Sequence, residues 1–214
     1  LPMGGMQVGR FDAPCSKSDA PRLQTLTEYW DELKTLKAVP TVKVDGTSTT
    51  LSMDERGQVH VYSRNWELDS MSSNMQLAKR FQLDKMLWPG MAVQFELCGP
   101  GIQSNRLKLP AQRPFVFAVW KDHHKIDRDQ WPTGMPNLAV PELDEHEWAL
   151  TGSVDDMIAK VDGLRGNVTK DRLDEGIVWH LHEDQQLSEG LANELGSNRC
   201  FKIINNKYLT KNGL

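Results

Sequence analysis

The longest unbroken apolar run in this chain is Phe115–Trp120, six residues rich in aromatic and β-branched side chains. A run of that length and composition reads as one buried strand, far short of the ~20 residues a membrane-spanning helix needs. The core must therefore be assembled from many short elements, and 214 residues can bury a sizeable one, even as a single large domain. The 25 basic and 29 acidic side chains leave a net charge of −4. That balance excludes a disordered acidic tail, and it argues against binding nucleic acid by bulk charge. Any such contact has to be local. Charge is in fact uneven: residues 141–156 hold six acids and no Lys or Arg, whereas residues 199–214 hold Arg199, Lys202, Lys207 and Lys211 without an acid. Cys15, Cys98 and Cys200 are odd in number and widely spaced, which suits a reducing, intracellular compartment. No secretion signal opens the chain, and a first residue of Leu suggests an earlier start.

Residues 1–18 read as an extended entry segment or linker. Leu23, Leu26, Trp30, Leu33 and Leu36 recur at helical spacing behind Asp19 and Pro21, which predicts one amphipathic helix stopped by Pro40. Strands are expected over 41–45, 47–53 and 58–64, a second helix through Leu68, Met71, Met75, Ala78 and Phe81, and a strand over 92–97. Residues 121–137 read as loop. Ser153 and Asp156 form a capping-box pattern for a third helix, and strands over 176–181 and 200–209 close the chain. Helices interleaved with hairpins rather than βαβ units indicate an α+β domain on antiparallel sheet, spanning residues 19–214.

Lys43-Val44-Asp45-Gly46 carries the first hint of chemistry. Alternation on a strand puts Lys43 and Asp45 on one face and Val42 and Val44 on the other, with Gly46 allowing a sharp exit. Alone, the tetrapeptide reads first as an ordinary ion pair beside a turn. It is followed in order by Ser63-Arg64-Asn65, Glu96-Leu97-Cys98-Gly99, Phe115–Trp120, Glu175-Gly176-Ile177-Val178 and Phe201–Leu209.

This ordered set resembles the covalent nucleotidyltransferases: ATP-dependent DNA and RNA ligases and mRNA-capping enzymes. Glu96-Leu97-Cys98-Gly99-Pro100-Gly101-Ile102-Gln103 with Asn105-Arg106-Leu107 is most similar to RNA ligases of the Deinococcus and Naegleria type. The resemblance implies a ligase adenylation domain with an antiparallel, ATP-grasp-like nucleotidyltransferase fold. It also implies that the N-terminal OB-like module of such ligases is absent from this chain.

For function, the resemblance implies an ATP-dependent RNA ligase that joins an RNA 3′-hydroxyl to a 5′-phosphate through lysyl-AMP and RNA-adenylate, with Mg²⁺ or Mn²⁺. Its partners would be RNA ends or a nicked duplex with an RNA 3′-hydroxyl strand; it would act as a monomer without a membrane. Lys43 would be the nucleophile, with Asp45, Glu175 and Lys202 also catalytic. A free lysine has a pKa near ~10.4, so neighbouring cations and burial must favour its neutral form. Glu175 and Glu96 would serve the metal. Thr41, Val42, Gly46, Arg64, Glu96, Phe117, Lys202 and Lys207 would bind the nucleotide, Phe117 by stacking on adenine. Lys207 is set apart, because on a regular strand it faces away from Lys202. Val42 stands where many such ligases have Glu, and Ile204 where some have a second lysine. His180 and His182 share a strand face but lack a third ligand. A DNA ligase, a capping guanylyltransferase or an idle nucleic-acid-binding module are the alternatives. The four charged residues Lys43, Glu96, Glu175 and Lys202 argue against idleness.

Overall fold

The computed structural model of the chain describes residues 4–214, so the first three residues of the expected entry segment lie outside it. The strands in chain order are β1 (Gln7–Arg10), β2 (Ala38–Lys43), β3 (Thr47–Met53), β4 (Val59–Tyr62), β5 (Trp66–Leu68), β6 (Met91–Cys98), β7 (Arg113–Lys121), β8 (His124–Ile126), β9 (Gly176–Leu181) and β10 (Cys200–Ile204). The α-helices are α1 (Trp30–Leu33), α2 (Ser73–Arg80), α3 (Val154–Val161), α4 (Glu189–Leu195) and α5 (Asn206–Asn212). The fold is α+β and antiparallel, as the interleaved pattern implied. It divides into two compact units, one of residues up to Ser18 and Asp45–Ala139, the other of Asp19–Val44 and Val140–Leu214.

The first unit is a seven-stranded sheet in the order β1-β5-β4-β3-β6-β7-β8. Its hairpins follow from local chemistry: Asp54 Oδ1 accepts from the backbone N–H of Arg56 and of Gln58, closing the turn between β3 and β4. One face packs Leu51, Val61, Val93, Phe95 and Val119 against Met75, Leu77 and Ala78 of α2. Each such side chain contributes roughly 1.5–3 kcal/mol when fully buried. The other face packs Tyr62, Ala92, Ala118 and Trp120 under Ala13 and Cys15. Gln94, buried there, accepts from Trp120 Nε1–H and donates to the Ser16 carbonyl. Between β6 and β7 the register shifts so that Phe95 pairs with Val116 but Gln94 with Ala118, leaving Phe117 as a bulge.

The second unit is a three-stranded sheet in the order β10-β9-β2. Ile177, Trp179, Leu181, Phe201 and Ile203 form its core face with Leu23, Leu26, Leu33, Met157 and Leu191. Trp179 and Phe201 stack with ring centroids 5.7 Å apart. The opposite face presents two cross-strand rows, Lys43-Gly176-Ile204 and Thr41-Val178-Lys202.

Several expected elements differ, among them the strand over 41–45, which runs Ala38–Lys43 and leaves Asp45 beyond its end. The helix over 19–36 is two 3₁₀ turns and the four-residue α1, because Leu26 and Tyr29 leave helical geometry and the Thr25 and Thr35 hydroxyls donate to carbonyls three residues back. Its apolar positions Leu23, Leu26 and Leu33 are nevertheless fully buried. The second helix starts only after its Ser72 cap, Leu68 belonging to β5 and Met71 being exposed. Residues 121–137 contain β8. The last strand ends at Ile204, where Asn205 caps α5 by accepting from Lys207 N–H, so strand parity does not apply to Lys207. Helix α4, capped by the Ser188 hydroxyl, had no counterpart in the sequence reading.

Candidate active site

The face of the three-stranded sheet opposite its core gathers the charged residues singled out in the second unit. Lys43 ends β2 and donates from Nζ to Glu175 Oε1 at 2.8 Å. Side-chain exposures of 27% and 17% make this a half-buried pair. Glu175 precedes β9, and Gly176 follows it of necessity: a Cβ there would lie 2.2 Å from the Ile203 carbonyl oxygen. The second Glu175 oxygen, Oε2, is buried with no hydrogen-bond partner among the described residues. A buried carboxylate oxygen without a protein partner is open to a water or a cation.

Lys202 lies one register step along, opposite Val178. Burial first, then the charges of Lys43 and Arg22, hold its ammonium below the ordinary lysine range, while Asp19 and Glu175 oppose the shift. Arg22 is a site candidate the sequence reading missed. Its backbone bridges to Lys202, and the adjacent Pro21 carbonyl accepts from Lys202 N–H. Thr41 Oγ1 lies 3.1 Å from His180 Nε2 and donates to the Val178 carbonyl. Val42 points into the interior, 1% exposed, so only its backbone can face a ligand. Ile204 fills the row position beside Gly176. Lys207 is exposed on α5.

Asn205 ties this region together. Its side chain accepts from the N–H groups of Gly163 and Lys207 and donates to the carbonyls of Leu164 and Asp174, while its own N–H donates to the Glu175 carbonyl at 2.8 Å. Fully buried and fully bonded, it fixes the main chain at Glu175. Consecutive asparagines at 205 and 206 were a turn and cap signal inside an apparent strand.

In the first unit, Asp45 accepts from Arg106 Nη1–H at 2.8 Å, and Glu96 Oε1 accepts from Gly46 N–H at 3.1 Å. Gly46 is required by close approach, since a Cβ would meet the Leu97 carbonyl oxygen at 2.2 Å. Arg106 is a second residue missed as a site candidate. It sits in a loop pinned by Asn105, whose side chain bonds both the N–H and the carbonyl of Leu109. Gln103, Asn105 and Lys108 all take left-handed backbone there, a costly conformation concentrated near functional sites. The expected neighbour relation between Lys43 and Asp45 thus resolves into two ion pairs, Lys43 with Glu175 and Asp45 with Arg106. Phe117 stands half-buried on the β7 bulge, where a bulge re-aims a side chain. Arg64 is exposed in the turn between β4 and β5.

The donor set suits a hard divalent ion that keeps most of its water. No group of three His, Cys, Asp or Glu side chains forms a cage among the described residues. Magnesium is typically held by one or two carboxylates plus phosphates, and the orphaned Glu175 oxygen fits that role.

The sequence matches the family model described as RNA ligase over residues 37–204. No curated protein sequence is detectably similar. Among solved structures, a Naegleria gruberi RNA ligase variant in its apo form superposes with a TM-score of 0.79 at 26% identity, covering 99% of this chain and 62% of that one. Another variant of that enzyme, with ATP and manganese, gives 0.79 at 26%, covering 98% and 61%. The same ligase with pyrophosphate gives 0.78 at 26%, covering 98% and 61%. The chain thus spans about three fifths of the length of these solved relatives.

Proposed function

We propose, from the premise that this chain belongs to the RNA ligase family, that it is the adenylation domain of an ATP-dependent RNA ligase. The observation that carries the reading is the Lys43–Glu175 contact, whose second carboxylate oxygen is buried without a partner among the described residues, with Lys202 on the same sheet face.

Lys43 Nζ attacks the α-phosphorus of ATP, a nitrogen–phosphorus bond forms and pyrophosphate leaves. An RNA 5′-phosphate oxygen then takes the adenylyl group and frees the lysine. A 3′-hydroxyl attacks the resulting RNA-adenylate, so a phosphodiester forms and AMP departs. Attack needs the amine lone pair, so the Lys43–Glu175 contact must open and the amine proton must leave. Glu175, the hydrogen-bond partner of Lys43, would accept it or turn toward a hydrated cation. Lys202 and Arg22 supply fixed positive charge for the phosphate oxygens, the main demand of phosphoryl transfer. Glu175 and, in the other unit, Glu96 are the carboxylates assigned to Mg²⁺ or Mn²⁺, which would add charge neutralisation at the phosphates when bound. Thr41, the Val42 backbone, Gly46, Arg64 and Phe117 are assigned to nucleotide binding, with Phe117 stacking on adenine, and Asp45 to support of the nucleophile segment. Lys207 is kept as a phosphate contact.

RNA ends or a nick with an RNA 3′-hydroxyl strand are the substrates in this reading. The protein acts as a monomer in a reducing, intracellular setting, the compartment that three widely spaced cysteines suit. The test is a sealing assay with ATP, manganese and 5′-phosphorylated RNA. RNA-adenylate and joined strands are expected; a protein that consumes no ATP, or that works only with GTP, contradicts the reading.

A further inference from the structure

The hairpin immediately before Glu175 carries three cations that the adenylation chemistry does not use. Arg165 and Leu173 pair across it, Gly166 N–H donates to the Arg172 carbonyl and Arg172 N–H to the Thr169 carbonyl. Asp174 anchors its base by accepting at Oδ2 from both the N–H and the side-chain amide of Asn167. Asn205 holds both ends, at Leu164 and at Asp174. The loop is therefore built rigid.

Arg165 and Lys170 are exposed and Arg172 is half-buried, yet none of the three is in an ion pair among the described residues. Asp171 is the single acid between positions 163 and 173. In a chain of net charge −4, three cations against one acid in a single hydrogen-bonded hairpin form a local positive surface. The surface continues onto α5. The ammonium of Lys207 stands beside Gly163 at the hairpin's foot, 3.4 Å from where a Cβ would be. From Leu173 the chain runs through Asp174 straight to Glu175, so the surface borders the face that holds Lys43.

We propose that the hairpin of residues 165–173 is a docking surface for the phosphate backbone of the RNA strand whose 5′-end is adenylylated. The inference rests on the RNA ligase reading and adds to it where the strand lies. Backbone phosphates are the ligand that rigid, sequence-indifferent cations fit, since phosphate contacts set position and register and not sequence. A preordered loop also avoids the entropy cost of ordering on binding. The contact is expected to be indifferent to base sequence.

The test compares the full chain with an Arg165→Glu/Lys170→Glu variant in two assays. The first follows formation of lysyl-AMP from labelled ATP without RNA, which should stay within about twofold of the parent. The second measures affinity for a fluorescent 5′-phosphorylated RNA across a salt series. There the variant should bind at least tenfold more weakly at low salt. Its slope of log affinity against log salt should be shallower by about 1.4, two phosphate contacts at ~0.7 each. An Arg165→Gln/Lys170→Gln pair should show the same direction with a smaller loss, which guards against misfolding of the reversed variant. Lys79→Glu/Lys85→Glu, in the other unit, controls for net charge and should change little. Normal lysyl-AMP formation with unchanged RNA affinity and slope in the hairpin variants overturns the proposal, as does an equal loss in the control. A parent protein that binds RNA through the hairpin but forms no lysyl-AMP would instead count against the ligase reading alone.

Discussion

The two sheets handle charge beside the Lys43-Val44-Asp45-Gly46 segment in contrasting ways. On the seven-stranded sheet each acid of interest is already held, Asp45 by the Arg106 guanidinium and Glu96 by the Gly46 N–H. On the three-stranded sheet Lys43 pairs with Glu175, whose Oε2 is buried without a hydrogen-bond partner among the described residues, and the charges of Lys43, Asp19, Arg22 and Glu175 all act on Lys202. Balanced polar groups make a frame, because a satisfied buried contact resists change; unbalanced ones make a reactive surface, because they gain most from an incoming phosphate or cation. The contrast teaches which residues should cost chemistry when changed and which should cost positioning.

Glu175→Gln attacks the unbalanced side and carries the largest expected effect. Adenylation should fall by about 10²–10³, the loss typical for one electrostatic group aimed at developing charge, with little change in melting temperature. A stability loss with activity kept would move Glu175 to the frame. Asn205→Ala breaks the frame of the same unit. It strands the Gly163 N–H and the Leu164 and Asp174 carbonyls, so urea unfolding should show a loss of about 2–3 kcal/mol. The activity that remains should fall through kcat more than through KM for ATP.

Arg106→Ala tests the other frame. Removing the guanidinium leaves a half-buried carboxylate without that partner and should cost about 1 kcal/mol and roughly tenfold in adenylation, with Arg106→Lys recovering part. If Arg106→Ala proved as damaging as Glu175→Gln, the division into frame and reactive face would fail. The smallest effect is a pH dependence confined to the first unit. Bonding to Asp54, and then to Glu67, raises His60 above the ordinary histidine value, whereas the same contact lowers Asp54. Stability from His60 is then full below about pH 6.5 and lost as pH rises through the raised value; that from Asp54 is present above about pH 3.9 and lost as pH falls through the lowered one. Melting temperature should therefore decline from about pH 6 to about pH 9, and His60→Gln should flatten that decline.

Much of this was legible in the sequence. The antiparallel α+β fold, the strands over 47–53 and 176–181 and the capping box at Ser153 are present, since alternation and caps are local signals. The apolar spacing of Leu23, Leu26 and Leu33 correctly marked buried positions but not a helix, because threonine hydroxyls competing for nearby carbonyls leave the 3.6-residue pattern intact while breaking the turns. Lys43 and Glu175 are brought together by cross-strand register, which a motif order can suggest but a single sequence does not encode. Arg106 and Asn205 escaped because their roles lie in partners 61 and 42 residues away.

The central claim is that Lys43 is the residue that becomes covalently adenylylated. Incubation with α-labelled ATP and manganese, followed by acid quenching and peptide mapping, tests it most directly. The account predicts acid-stable AMP on the peptide containing Lys43, none from GTP, and none in Lys43→Ala. Label that persists in Lys43→Ala, or that maps to Lys202, would contradict it.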